Sequence, residues 1–69
     1  MIQTSYDPEA DVLHVGFGPP FARYDGATEV APGIFVEFDA DGSAIGVEVL
    51  GVKLQAAGTY GRPAKTAAE

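Results

Sequence analysis

The 69-residue chain has no cysteine and no tryptophan, a single histidine, and four basic residues against ten acidic ones. Without cysteine there is no disulfide and no thiolate metal site. His14 alone cannot build a site from several imidazoles. A chain this short buries little of its own surface, and its core supplies only about 3–5 kcal/mol. Natural domains of this size therefore lean on a disulfide, a metal or a partner chain. The partner chain is the common device left. The lack of cysteine fits a reducing compartment. No apolar run approaches the roughly 20 residues that cross a bilayer, and the N-terminus shows no basic start followed by an apolar stretch. A soluble cytoplasmic protein with no membrane partner is expected.

Basic charge is scarce as well. The net charge is −6, and the last twelve residues hold Arg62, Lys65 and Glu69, a net of +1, so residues 1–57 carry −7. Binding phosphate needs clustered Lys or Arg. Nucleic acid is therefore not expected as a partner of the body. A basic protein partner is compatible with this charge, which also serves solubility.

What is present is β-forming sequence cut by turn residues. Ile34 to Leu50 holds two apolar, β-branched and aromatic runs flanking Asp39-Ala40-Asp41-Gly42, the pattern of a hairpin. Asp39 accepts from the turn backbone, and Gly42 takes φ > 0 without a Cβ clash. A two-residue and a three-residue loop pair opposite faces here, so the register stays open. Upstream, residues 2–6 and 11–17 alternate as strands. Between them Asp7-Pro8 suits a type I turn, since Pro presets φ and Asp accepts from the backbone. Residues 18–26 form a loop broken by Pro19 and Pro20, residues 27–30 a short third strand, and Pro32-Gly33 a type II turn. Residues 51–58 admit either a short helix or a sixth strand. Residues 58–69 are expected to be a flexible tail. The fold class is mainly β: one small domain over 1–57, an antiparallel meander of about five short strands built from hairpins. Its strands carry apolar residues on both faces, so both faces need covering.

Several pieces occur in a telling order: Tyr6-Asp7-Pro8-Glu9-Ala10-Asp11-Val12-Leu13, Ala31-Pro32-Gly33-Ile34, Phe38-Asp39-Ala40-Asp41-Gly42 and Ile45-Gly46-Val47-Glu48-Val49-Leu50. Together they resemble the bacterial domain-of-unknown-function family 2283 (DUF2283) over about residues 2–52. His14 departs from the aromatic usual at its position, and Val47 and Val49 replace the usual Ile. The resemblance implies a small β-rich domain and no established activity, cofactor or catalytic residue.

Candidate chemistry is thin. Asp7, Glu9 and Asp11 offer three carboxylates to a hard cation, but they lack the Gly and distal Glu of a Ca²⁺ loop and read better as turn residues. Glu37 and Glu48 on neighbouring strands would make an acid/base pair only in a dry site. His14 has no Ser or Cys nucleophile signature near it. No catalytic residue, metal ligand or cofactor is assigned. The structural turn residues are Asp7, Pro8, Pro32, Gly33, Asp39 and Gly42. The interface candidates are Phe21, Arg23 and Tyr24, since aromatics and Arg anchor interfaces, with Phe35, on the face opposite Ile34, Val36 and Phe38, and Leu50, on the face opposite Ile45, Val47 and Val49. The expected function is a homodimeric protein-interaction module without catalysis. Two alternatives are an acidic, antitoxin-like partner of a small basic protein and a metal-dependent hydrolase using clustered carboxylates.

Overall fold

The computed structural model describes residues 2–61. Five antiparallel strands, β1 (Gln3–Asp7), β2 (Val12–Gly16), β3 (Tyr24–Ala31), β4 (Ile34–Asp39) and β5 (Ala44–Leu50), form one open sheet, followed by a single helix, α1 (Val52–Ala57). The expected tail lies outside the described residues beyond Gly61.

The strand order is β1-β2-β5-β4-β3. The hairpin-built antiparallel sheet is as expected, but the connectivity is not a simple meander: β2 pairs with β5, not with β3. Composition explains this. The three strands richest in apolar residues, VLHVG, AIGVEVL and IFVEFD, take the interior positions, where each has two neighbours. The more polar QTSYD and YDGATEVA take the edges. The segment from Phe17 to Arg23 spans the sheet end from β2 to β3, a step of three strand spacings or about 14 Å, within reach of seven residues.

The hairpin between β4 and β5 adopts the three-residue form. The Ser43 carbonyl accepts from the Asp39 N–H at 2.9 Å, and the Asp39 carbonyl accepts from the Gly42 N–H at 3.0 Å. Asp39 Oδ1 also accepts from the N–H groups of Asp41 and Ser43, and Gly42 has φ 83°. A type I turn closed by a left-handed glycine sets Phe38 opposite Ala44, and a bulge at Ile45 then shifts the register by one. Ile34 then faces Val49, and Val36 faces Val47.

The two faces of the sheet differ sharply. Thr4, Val15, Val47, Val36 and Thr28 lie directly opposite one another across all five strands. Their face also carries Tyr6, Leu13, Val49, Ile34 and Phe38, and the three interior strands give it no ionisable group. On the other face the matching row is Ser5, His14, Glu48, Phe35 and Glu29, joined by Glu37 and Leu50. A register shift next to Ala44 breaks the alternation of β5. Simple alternation would set Ile45 on the face of Val47 and Val49, but it lines a cavity with Gln3 and Gly16 of the polar face.

Segment 51–58 is a helix, not a sixth strand. Its hydrogen-bond partners sit at the strand ends: the Val52 N–H donates to the Asp11 carbonyl, and Gln55 Nε2 donates to the carbonyl oxygens of Pro32 and Leu50. Thr59 and Tyr60, read from sequence as tail, are tied in. The Thr59 N–H donates to the Leu54 carbonyl, and the Tyr60 ring lies on Gly33 and Gly51. The third strand begins at Tyr24, three residues earlier than expected, because Tyr24 pairs with Asp39 across a bulged stretch. Among the described residues no hydrophobic side chain is buried.

Candidate functional site

The acidic turn after β1 is a structural junction. Asp7 Oδ1 accepts from the N–H groups of Glu9 and Ala10, the turn chemistry expected of it. Asp11 has φ 58°, a left-handed backbone unusual outside glycine. Its Oδ1 accepts from the Tyr6 hydroxyl at 2.6 Å, and its Oδ2 accepts from the Lys53 N–H at 3.0 Å. One carboxylate thus ties β1 to the start of α1. Among the described residues no three His, Cys, Asp or Glu side chains converge as a metal site requires. Sequence reading missed this role because Lys53 lies 42 residues away.

These bonds shift the ionisation of both side chains. The Tyr6 hydroxyl, then the Lys53 N–H, hold the Asp11 carboxyl below its ordinary 3.8. The same hydrogen bond leads the causes that raise Tyr6 above 10.0. A carboxyl depressed in the folded state stabilises fully above its unfolded pKa, and that stability drains away as pH falls through the folded value. The Tyr6 contribution runs the other way: it is present below 10.0 and is lost as pH rises through the higher folded value. Asp11→Asn keeps a side chain that tolerates φ > 0 and is expected to remove this acid-end slope. Melting temperature measured from neutral pH to below 3.8 checks it: the wild-type advantage over Asp11→Asn should shrink toward the acid end. Parallel curves would show that the Asp11 charge contributes nothing.

On the polar face, His14 Nε2 and Glu37 Oε1 stand 2.7 Å apart, with the carboxylate side chain 18% exposed and the imidazole 40%. They meet across Gly46, which lies opposite Glu37 in the register. A Cβ there would sit 2.5 Å from Glu37 Oε1 and 3.4 Å from His14 Nε2. Gly46 is the notch that lets the pair close. Sequence reading did not join His14 to Glu37, because they are 23 residues apart; a glycine inside an otherwise β-branched strand was the one available signal. Glu37 and Glu48 share the face but are not directly opposite, as Glu48 faces His14 and Phe35. A His–carboxylate pair orients an imidazole for proton transfer only if a nucleophile or substrate sits on its other nitrogen. Ser5 lies opposite His14 on β1, but the imidazole's side-chain hydrogen bond goes to Glu37 and not to the Ser5 hydroxyl.

Beside this pair an open cavity of about 300 Å³ is lined by Gln3, Gly16, Gly18, Pro19, Pro20, Ala22 and Ile45. A smaller one of about 140 Å³ joins Phe21, Ala22 and Arg23 to the hairpin tip at Asp39–Asp41.

The five interface candidates do not form one patch. Phe35 lies on the polar face between Glu48 and Glu29, and Leu50 lies on the same face opposite Val12. Tyr24 is on the edge strand at 64% exposure, and Phe21, at 83%, stands in the loop with Arg23. Pro32 and Gly33 join β3 to β4, with Gly33 at φ 74°.

A family model described as a protein of unknown function, DUF2283, matches residues 3–53. No curated protein and no solved structure matches the chain.

Proposed function

Given that this chain belongs to the DUF2283 family, we propose that it works as a self-associating, dimeric interaction module without catalysis. The observation that carries this is the absence of any buried hydrophobic side chain among the described residues. A single layer of sheet cannot enclose its own apolar residues, so a second layer has to come from elsewhere. The helix is six residues long and engages strand ends and turns. A two-fold copy supplies the missing layer with no further sequence. Among the described residues no hydroxyl or thiol is hydrogen-bonded to the His14–Glu37 pair, and the carboxylates of the polar face are spread along the strands.

Light scattering over a dilution series tests this. A mass of about twice the 7.1 kDa chain is expected at micromolar concentration, falling toward one chain on dilution. One-chain mass at every concentration would refute it.

The row of Glu48, Phe35 and Glu29 favours a second reading, in which the acidic face docks a small basic protein. A complex with a basic protein encoded beside this one, weakened by salt, would support it. No association at low ionic strength would remove it.

A further inference from the structure

We propose that the second copy docks on the face bearing Leu13, Val15, Ile34, Val36, Val47 and Val49, making a two-layer β-sandwich whose outer faces carry the His14–Glu37 pairs. This rests on the self-association proposed above and says which surface performs it. The register supplies the first argument. Val15, Val47 and Val36 run in an unbroken row across β2, β5 and β4, with Leu13, Val49 and Ile34 beside them. Such β-branched rows interdigitate when two sheets stack about 10 Å apart.

Charge supplies the second. A two-fold contact sets each surface against its own copy. Through the opposite face, Glu29, Glu37 and Glu48 would be brought against their counterparts and stripped of water, at a cost that rises steeply as the dielectric falls. Through the apolar face these three carboxylates point outward and apart, which suits a chain of net charge −6.

Area supplies the third. Five strands spaced by about 4.8 Å, each five or so residues long at about 3.3 Å per residue, span about 24 by 17 Å. With side-chain relief the accessible area of such a face is about 600–800 Å², close to what one partner gives a standard stable interface. A second copy therefore needs no surface beyond this face. The bond from Tyr6 to Asp11 lies at the rim of this face, where Tyr6 stands on edge strand β1 opposite Leu13.

The chain has no cysteine, so thiols introduced one at a time report on each face. Val36 and Phe35 are neighbours on β4 with opposite orientations. Val36→Cys and Phe35→Cys are each reacted with a thiol reagent at nanomolar and at high micromolar chain concentration, with mass measured in parallel. The Val36→Cys thiol is expected to be slowed about tenfold or more at the higher concentration, as the free-monomer fraction drops below a tenth. The Phe35→Cys thiol is expected to react at the same rate throughout. Protection of the Phe35→Cys thiol alone would overturn the choice of face while leaving self-association intact. Two-chain mass with neither thiol protected would place the contact at a sheet edge and also overturn it. One-chain wild-type mass would remove the dimer itself. Should Val36→Cys fail to fold, Val47→Cys, in the same row, takes its place with the same expectation.

Discussion

Replacing Gly33 with alanine is expected to destabilise the protein by about 2–4 kcal/mol, from left-handed strain and overpacking together. Gly33 has φ 74°, and an added Cβ would lie 2.5 Å from two Tyr60 ring atoms and 2.9 Å from Gln55 Nε2. Neither neighbour is free to yield. The Gln55 amide donates to the Pro32 carbonyl, and the ring also rests on Gly51. The backbone is pinned too: the Gly33 N–H donates to Glu29 Oε2, and its carbonyl accepts from the Leu50 N–H at 2.8 Å. Gly42→Ala is the control. Its φ is 83°, but nothing lies within 4 Å of the added carbon, so only the strain of about 1 kcal/mol applies. Denaturant unfolding of both variants checks the difference. Equal losses would show that Tyr60 is not packed on this turn.

Gly46→Val is expected to cost about 2–3 kcal/mol by a different route, crowding plus a lost charged hydrogen bond. Gly46 is buried on the central strand. The first added carbon meets Glu37 Oε1 at 2.5 Å and the Val15 carbonyl at 3.1 Å. The carboxylate swings away from His14 readily, whereas the Val15 carbonyl belongs to the β2–β5 pairing and yields less. The two contributions separate in a His14→Ala background, where the pair is already gone and Gly46→Val should cost distinctly less. An undiminished cost there would mean that the notch serves the backbone alone.

These sites show what was legible in the sequence. Turns set by neighbouring residues were: Asp39 with Gly42, Asp7 with Pro8, and Pro32 with Gly33 each carry their geometry within a few residues. The antiparallel strands were legible through alternation. Face pairing was not, because the bulge at Ile45 shifts the β4–β5 register by one from what the hairpin loop sets. Phe35 and Leu50 lie on the face opposite Val36 and Val47, as the alternation of each strand predicts. The pairing of β2 with β5, the closure of His14 on Glu37 and the grip of Asp11 on Lys53 join residues 23 or more positions apart. No local propensity encodes such contacts. The left-handed backbone of Asp11 was hidden by its acidic neighbours, which drew attention to cation chemistry.

The most direct test of a core completed by a second copy is thermal unfolding followed across a wide range of chain concentration. If folding and association are one event, mass action couples them, and the melting temperature rises steadily with concentration. A cooperative melt at one fixed temperature over about a hundredfold dilution would contradict this and return the apolar face to solvent in a stable single chain.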